Sequence, residues 1–336
     1  MNIAIDAMGG DFAPDEIVKG ALLASPEIES KLILVGQPDA IKRAAGGSVP
    51  SDIRIVEATE VIEMNDSPVD ALRKKKGSSL VVAANLVKDG QADAMVSAGS
   101  TGAATAAAHL LWRCLPNISR PAIATSLPSK RGKFVMIDSG ATPDSDSRNL
   151  LEFAIMGAAY AEAVLGISHP KIGLLNIGEE EQKGTALLKQ TYKIFQKHLD
   201  NFVGNVEGKD MFHGEFDVVV CDGFAGNVAL KTTEGAGDLF WYYMKQIIPK
   251  NPIARAIVGI FMKRGLDRVR QQTSYEEVGG APLLGVNGLC MICHGHSSAK
   301  AMKNAIVLTD KGVANRLNEL IGERLKQIPE ELGNAS

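Results

Sequence analysis

Short aliphatic runs alternate with longer amphipathic stretches along the whole chain. The aliphatic runs are rich in Val, Ile and Leu, and their hydrophobic residues are continuous rather than alternating, which is typical of strands buried on both faces. Nine predicted strands follow from this pattern: Asn2–Asp6, Leu32–Val35, Ile53–Val56, Ala94–Ser97, Ala122–Ser126, Phe134–Asp138, Ile172–Leu175, Asp217–Cys221 and Leu289–Ile292.

Helical periodicity fills the gaps between these runs. In Asn149–Leu165, for example, Leu150, Phe153 and Gly157 fall on one stripe. Repeated alternation of strand and helix predicts parallel strands joined by crossover helices. The expected fold class is therefore α/β, with a doubly wound, mostly parallel sheet. We expect a single domain over residues 1–330, followed by a frayed tail at 331–336.

One internal repeat marks a candidate ligand edge. ADAMVSAGSTGA at Ala92–Ala103 and FDVVVCDGFAGN at Phe216–Asn227 both read as Asp, a buried strand and then Gly-x-x-Gly opening a helix. Open α/β sheets bind ligands at such strand-to-helix turns. Glycine also serves plain tight turns, so one copy alone would be weak evidence. Two copies favour a ligand edge that both turns line.

Composition narrows the class of protein. The 336 residues are 45% hydrophobic and 22% charged, with a net charge of −3, so nothing global indicates nucleic acid binding. The start MNIAI lacks the features of a secretory signal, and no apolar run is long enough to span a bilayer. Four cysteines in this length do not form a disulfide scaffold. We expect a cytoplasmic globular protein.

The turn Ser97–Gly102 is the best phosphate candidate. Its glycines let backbone N–H groups approach an anion, its hydroxyls add donors, and the helix predicted from Ala103 directs its positive end at the site. The turn matches neither GxGxxG nor GxxxxGK[ST], so a dinucleotide or nucleoside triphosphate site lacks its fingerprint. A plain capped helix start is the alternative.

Two charged segments offer further anion contacts. In NIGEEEQKGT at Asn176–Thr185, Lys183 is placed to face an anionic ligand, although a solvated charge run before a helix explains the pattern equally well. ALRKKKGSS at Ala71–Ser79 places Arg73 in a basic turn that suits phosphate or an acidic protein partner.

Near the C-terminus a glycine-rich loop leads into a possible cysteine motif. GGAPLLGVNG at Gly279–Gly288 is typical of a loop that lines a site, and CMICHGHSS follows it. The chain has no second cysteine pair for zinc and no export signal for haem, so we expect no metal and small apolar cysteines in a buried strand. His294 and Lys300 are the candidate ligand contacts here.

Lys245–Arg268 interleaves basic and apolar residues and contains Pro249 and Pro252. We predict a protruding helical hairpin, inserted at about residues 228–270, with a hydrophobic tip. Such a hairpin suits an anionic membrane surface or a dimer interface. The residues predicted to contact a membrane or an acyl chain are Ile253, Ile257, Ile260 and Phe261.

Several motifs together resemble a known family. IAIDAMGGDFAPDEIVKGA at the start, SAGSTGA, NIGEEEQKG, DGFAGN and GGAPLLGVNG…HG…AKAMKNAI occur in order from Asn2 to Ile306. They resemble the phosphate acyltransferase family PlsX of bacterial phospholipid synthesis. The resemblance implies transfer of a long acyl group from acyl carrier protein to inorganic phosphate. It also implies a fold similar to phosphate acetyltransferases and isopropylmalate-type dehydrogenases, a homodimer, and a membrane glycerol-phosphate acyltransferase that consumes the product.

This chemistry assigns roles to the candidate residues, with no cofactor. Phosphate is a competent nucleophile and a thiolate leaves readily, so positioning and oxyanion stabilisation matter most. Lys183 or Arg73 would supply charge, and His294 or Asn227 would donate to the thioester oxyanion. The residues expected to bind phosphate and substrate, or to hold the loops that do, are Ser97, Gly99, Ser100, Thr101, Gly102, Asp6, Gly9, Gly10, Asp11, Asp138, Asn176, Gly178, Asp222, Gly223 and Lys300.

Three other functions remain open. A phosphotransacetylase acting on short acyl-CoA would share the phosphate site and differ in its acyl pocket. An NAD-dependent dehydrogenase lacks the glycine fingerprint, although the related fold binds NAD without one. A peripheral membrane scaffold would use the basic hairpin and leave the glycine-rich loops without a purpose.

Overall fold

A computed structural model describes residues 1–247, 265 and 275–326. Within them the strands are β1 (Asn2–Asp6), β2 (Lys31–Gly36), β3 (Arg54–Glu57), β4 (Ala94–Ser97), β5 (Ala122–Ser129), β6 (Gly132–Ile137), β7 (Ile172–Asn176), β8 (Phe202–Glu207), β9 (Val218–Val220), β10 (Ala281–Leu284) and β11 (Leu289–Ile292). The helices are α1 (Asp15–Ala24), α2 (Pro38–Ala44), α3 (Pro68–Lys74), α4 (Ser79–Lys88), α5 (Thr101–Trp112), α6 (Ser147–Ala163), α7 (Ala186–His198), α8 (Gly223–Ile247), α9 (Ala299–Ala314) and α10 (Leu317–Leu325).

The described strands form a single sheet in the order β3-β2-β1-β4-β11-β10-β5-β6-β9-β7-β8. Strands β3, β2, β1, β4 and β11 are mutually parallel, and so are β6, β9, β7 and β8. Between these halves, β10 is antiparallel to both of its neighbours, and β5 is antiparallel to β6. The two halves therefore run in opposite directions, and the amino end of β5 lies at the carboxyl end of β6.

The predicted fold class is confirmed, with one local departure. Strict alternation of strand and helix is wrong between β5 and β6, which form an antiparallel hairpin. Only Ser129 and Gly132 bracket its tip, which leaves no room for the crossover helix that a parallel pair needs. Strands β8 and β10 were not predicted. Glycine and polar residues interrupt the first and a proline lies in the second, so neither reads as a buried run.

The core lies on both faces of the sheet. On one face, α6 is buried along nearly its whole length, from Asn149 to Ala161, and packs against β6 and β9. On the other face, α4 and α5 pack their alanine-rich and aliphatic sides over β1, β4 and β11. The predicted helix 149–165 thus forms two residues earlier, because Asp146 caps it through the amide of Asn149 at 2.8 Å.

The predicted hairpin lies only partly within the described residues. Helix α8 is continuous from Gly223 to Ile247, so it begins before residue 228. The tip residues Ile253, Ile257, Ile260 and Phe261 lie outside the described residues. Among residues 1–247, 265 and 275–326, no helix is both long enough and apolar enough to cross a membrane.

Candidate active site

The carboxyl ends of β1 and β4 meet around a buried carboxylate. Asp6 ends β1 and accepts a hydrogen bond of 2.7 Å from the hydroxyl of Ser97, which ends β4. Burial raises the pKa of Asp6, and the hydrogen bond from Ser97 opposes that rise. A Cβ on Gly9 would lie 2.9 Å from the amide nitrogen of Gly99, so the two glycine turns pack backbone to backbone.

The GGD turn is joined to the loop that follows β11. The amide of Asp11 donates to the carbonyl of Gly295 at 2.8 Å, and the Asp11 carboxylate lies 3.0 Å from Nδ1 of His296. Gly10 adopts φ +106° where the two loops meet, a backbone conformation that favours glycine. Nδ1 of His294 accepts from the amide of His296 at 3.2 Å. His294 thus lies at the edge formed by β1, β4 and β11.

Helix α5 begins two residues earlier than predicted, and its first amides are available to a ligand. Ser100 caps the helix, since its hydroxyl accepts from the amide of Ala103 at 3.4 Å. The amide of Gly99 is used by the hydroxyl of Ser97 at 3.1 Å. The amides of Thr101 and Gly102 have no partner among the described residues, so they carry the positive end of α5.

A cavity of about 380 Å³ lies between this helix start and the β6 half of the sheet. Its wall includes both polar and apolar groups and combines the first half of α5 with the segments before β5 and after β6. Its lining residues are Thr101, Gly102, Thr105, Ala106, His109, Arg120, Pro121, Ile123, Gly140, Ala141 and Thr142.

Arg120 is the one arginine that lines this cavity, and its backbone is fixed on both sides. The buried carboxylate of Glu152 on α6 accepts from the amide of Ser119 at 2.9 Å and from its hydroxyl at 2.7 Å. On the other side, the hydroxyl of Thr142 donates to the carbonyl of Pro121 at 2.9 Å. The guanidinium has no ion pair within the described ranges, which leaves it available to an anion.

The loop after β6 is organised by Asp138. One carboxylate oxygen accepts from the amides of Ile123, Gly140 and Ala141 at 2.9–3.0 Å, and the other accepts from Thr142 at 2.6 Å. Burial raises the pKa of Asp138, while these backbone hydrogen bonds oppose the rise. Asp138 thus holds a loop that lines the cavity.

The second glycine turn packs directly against this loop. A Cβ on Gly223 would lie 2.6 Å from Asp138 Oδ2, and one on Gly226 would lie 2.9 Å from the Asp138 carbonyl carbon. Asp222 caps α8 by accepting from the amide of Ala225 at 2.8 Å. The side chain of Asn227 lies against Gly140, since a Cβ built there would be 3.4 Å from Asn227 Cβ. Asn227 therefore stands at the cavity wall.

The loop after β7 folds back on the end of its own strand. Asn176 donates to the carbonyl of Lys183 at 3.2 Å, and Gly184, at φ +85°, lies against the same asparagine. Lys183 passes beside Gly178, where a Cβ would lie 2.9 Å from Lys183 Cγ. The Lys183 side chain is exposed, and its ammonium has no ion pair in the described part of the chain.

The structure brings some predicted residues together and separates others. Thr101 and Gly102 line the cavity, Asn227 lies against Gly140 of its wall, and Asp138 with the second glycine turn supports that wall. The other residues of the turn Ser97–Gly102 make hydrogen bonds within the turn, with Asp6 and with the start of α5, at the edge of β1, β4 and β11. Arg73 is exposed on α3, whose first residue Pro68 packs against Gly102. Lys300 is paired with Glu277.

Sequence reasoning missed Arg120 and the loop Gly140–Thr142. Ligand contacts were expected at the carboxyl ends of strands, whereas Arg120 precedes β5 at its amino end. The reversal of β5 relative to β6 places that amino end beside Asp138. The available signal was the sequence SRPAIA, in which an arginine and a proline directly precede a predicted strand.

The cysteines behave as predicted. Cys290 lies in β11 and Cys293 directly follows it, both buried and unpaired. Burial raises the pKa of Cys290 to about 12 and raises that of Cys293 further. Within residues 1–247, 265 and 275–326, no three His, Cys, Asp or Glu side chains are grouped to hold a metal ion.

Comparison with known proteins identifies the family. Residues 1–319 match the family model described as fatty acid synthesis protein. A phosphate acyltransferase of Desulfitobacterium hafniense is 50% identical over 327 residues, which cover 97% of this chain and 98% of that protein. A phosphate acyltransferase of Pelotomaculum thermopropionicum is 49% identical over 329 residues, covering 98% of this chain and 96% of that protein.

Solved structures show the same fold at low identity. A phosphotransacetylase from Streptococcus pyogenes aligns with TM-score 0.63 and 18% identity, covering 94% of each chain. A branched-chain phosphotransacylase from Enterococcus faecalis aligns with TM-score 0.59 and 14% identity, covering 93% of this chain and 99% of the other. Taken with the match over residues 1–319 and the near-complete alignment to curated relatives, the chain belongs to the phosphate acyltransferase family.

Proposed function

We propose that this protein transfers a long-chain acyl group from acyl carrier protein to inorganic phosphate, forming an acyl-phosphate for phospholipid synthesis. Membership of the phosphate acyltransferase family supports the reaction type. The observation that carries the proposal in this chain is the cavity between α5 and the Asp138 loop, which both Arg120 and the first residues of α5 line.

Phosphate is proposed to bind between Arg120 and the amides of Thr101 and Gly102. A guanidinium binds phosphate oxygens in bidentate fashion, and two N–H groups at the start of a twelve-residue helix add directed donors. The hydroxyl of Thr101 extends this set. Because Ser119 and Pro121 are held by neighbouring side chains, Arg120 is positioned before the ligand arrives, which lowers the entropic cost of binding.

The reaction needs one nucleophilic attack and one leaving group. An oxygen of phosphate attacks the thioester carbonyl carbon, and the carbonyl oxygen takes the negative charge of the tetrahedral intermediate. Collapse of the intermediate breaks the carbon–sulfur bond, forms the mixed anhydride and releases the carrier thiolate, which takes a proton from water. Held geometry and oxyanion stabilisation supply most of the catalysis in such a step.

Asn227 is the proposed oxyanion donor. Its amide lies against Gly140 in the cavity wall, whereas His294 lies at the edge of β1, β4 and β11 and does not line the cavity. Lys183, at the neighbouring strand end, is proposed to attract the anionic substrates to this edge. Removing an oxyanion donor typically lowers kcat by about 100- to 1,000-fold, so Asn227→Ala is expected to act on kcat.

The remaining partners are proposed from the charge pattern and the family. The basic turn at residues 73–76 suits an acidic carrier protein, because Arg73, Lys74 and Lys76 are exposed and α3 begins beside Gly102. We also propose a cytoplasmic homodimer whose residues 248–264 contact the membrane or a membrane glycerol-phosphate acyltransferase. Neither a cofactor nor nucleic acid is part of the proposal.

The experiment mixes purified protein with palmitoyl-carrier and inorganic phosphate and traps acyl-phosphate as its hydroxamate. Phosphate-dependent hydroxamate with release of free carrier is the expected result. Arg120→Ala is expected to raise the phosphate KM about 10- to 100-fold, since a charge-assisted hydrogen bond contributes about 1.5–3 kcal/mol. The phosphate KM of Arg120→Lys should lie between those of the unmodified protein and Arg120→Ala, because lysine keeps the charge without the bidentate geometry.

Arg113→Ala is the matched control. Arg113 is an exposed arginine on the same connection between α5 and β5, and it does not line the cavity. Its phosphate KM should equal that of the unmodified protein. An Arg120→Ala enzyme with an unchanged phosphate KM would refute the site, and no hydroxamate from any carrier-bound or CoA-bound acyl group would refute the reaction.

A further inference from the structure

Two exposed hydrophobic side chains stand out at the carboxyl edge of β7 and β9. Ile177 is 80% exposed and Phe224 is 69% exposed, the highest values among the exposed large hydrophobic residues of the described chain. Val228, one turn after Phe224 on α8, is 52% exposed. Side chains of this size are not left in water without cost, which points to a ligand or partner that covers them.

The sheet register places Ile177 and Phe224 side by side. Strands β7 and β9 are parallel neighbours, and Leu174 pairs with Val220. Asn176 and Asp222 lie two residues further along their respective strands. They are therefore neighbours, about 4.8 Å apart in the direction across the sheet. Ile177 follows the first directly, and Phe224 follows the second after one glycine.

This apolar edge is continuous with the cavity. Asn227 lies between Phe224 and Val228 on the first turns of α8, and its side chain touches Gly140, which lines the cavity. Residues at positions i and i+4 of a helix lie on the same face, so Phe224 and Val228 form one apolar strip, and Asn227 is the i+3 neighbour of Phe224. A long acyl chain that leaves the cavity beside Asn227 thus meets apolar surface within one helical turn.

The cavity itself is unsuited to a long hydrocarbon. Its volume of about 380 Å³ is near the lower end of the range for small-molecule sites, and phosphate with the thioester occupies part of it. Arg120 and the first residues of α5, where phosphate is proposed to bind, take up one part of the wall. An acyl chain attached to a thioester at Asn227 therefore has to leave the cavity, and the nearest apolar surface is that of Phe224, Val228 and Ile177.

We infer that Ile177, Phe224 and Val228 bind the acyl chain where it leaves the cavity, beyond the few carbons that a butyryl group has, and so set the preference for long over short acyl groups. The inference rests on the proposed function and names the part of the substrate that these residues contact. The surface is short. Beyond Val228 the same side of α8 carries the ion pair of Lys231 with Glu234 at 2.8 Å, so the contact spans about 6 Å of helix.

A second copy of this chain is the competing occupant of α8. Leu239, Tyr242 and Tyr243 are also exposed on this helix, but they lie beyond the Lys231–Glu234 pair. Leu239 is about 22 Å along the axis from Phe224, too far to touch the portion of the acyl chain next to the thioester. It is 54% exposed, so Leu239→Ala is a matched control on the same helix.

The experiment measures kcat/KM with butyryl-, octanoyl- and palmitoyl-carrier at saturating phosphate, for the unmodified protein, Phe224→Ala, Ile177→Ala and Leu239→Ala. Loss of one or two methylene contacts corresponds to about a tenfold decrease in kcat/KM. Phe224→Ala and Ile177→Ala should therefore lose about tenfold with octanoyl and palmitoyl substrates and less than twofold with butyryl. Leu239→Ala should match the unmodified protein at every length, and the phosphate KM should stay constant throughout.

Equal loss at all three chain lengths would overturn the inference, because the side chains would then act on the common thioester or on folding. A shift to monomer by sedimentation velocity in Phe224→Ala and Ile177→Ala would also overturn it and assign the surface to a second copy. Retained butyryl transfer in the variants shows that they are folded. Absence of transfer by the unmodified protein, in contrast, would refute the proposed function itself.

Discussion

Two glycines of α8 offer a paired test of how tightly this helix is seated on the Asp138 loop. A Cβ at Gly226 would lie 2.8 Å from Cys221 Sγ and 2.9 Å from the carbonyl carbon of Asp138, with the carbonyl oxygen closer still. A Cβ at Gly235, nine residues further along, would meet nothing within 4 Å. The same substitution, Gly→Ala, should therefore have opposite effects at the two positions.

The magnitudes follow from this geometry. The backbone of Asp138 cannot retreat easily, because its amide donates to the carbonyl of Cys221 at 2.9 Å and its carboxylate is held by four amides. Overpacking of this kind costs about 1–3 kcal/mol. Replacing glycine by alanine inside a helix contributes about 0.5–1 kcal/mol in favour of folding. We expect Gly226→Ala to lose about 1–2 kcal/mol and Gly235→Ala to gain about 0.5–1 kcal/mol.

Urea unfolding followed by circular dichroism measures the two free energies, and calorimetry checks them. An unfolding entropy of about 2.1 cal/mol/K per residue makes 1 kcal/mol equal to about 1.4 °C in Tm for this length. Gly226→Ala should also lower turnover, since a displaced Asp138 loop moves Gly140 away from Asn227. Equal stability of the two variants, or full turnover by Gly226→Ala, would refute the reasoning.

Three further predictions concern buried groups. Because burial raises the pKa of all four thiols and only Cys114 is partly exposed, Ellman's reagent should titrate at most one thiol, Cys114, in the native protein and four in denaturant. The pKa of Asp6 is raised above its ordinary 3.8, so its contribution to the free energy of unfolding falls as pH rises through the folded pKa. Asp6→Asn should therefore match the unmodified protein below about pH 4 and be the more stable of the two at pH 8, as urea midpoints at each pH will show. Glu152→Ala leaves the amide and hydroxyl of Ser119 without their acceptor, so we expect a loss of about 2–3 kcal/mol in unfolding free energy and a raised phosphate KM through Arg120, with Glu152→Gln retaining most of both.

Local patterns were sufficient for most of the fold. Buried aliphatic runs predicted β1, β4 and β11 with their observed bounds, because a strand covered on both faces must be apolar at every position. Serine and glycine signals likewise located the start of α5 within two residues. Strands β8 and β10 escaped prediction because packing against neighbours, rather than their own composition, makes them strands.

The candidate site likewise has features that local sequence predicts and features that depend on tertiary packing. The sequence by itself determined the family resemblance and the two glycine turns and named Asp138 and Asn227 as candidates, since these depend on residue type and local spacing. Only the tertiary structure decided that the first half of α5, Arg120 and the Asp138 loop share one cavity. The physical reason is the reversal of direction between β5 and β6. It brings the amino end of one strand to the carboxyl end of its neighbour, and no pattern within a single segment records which ends of different strands will meet.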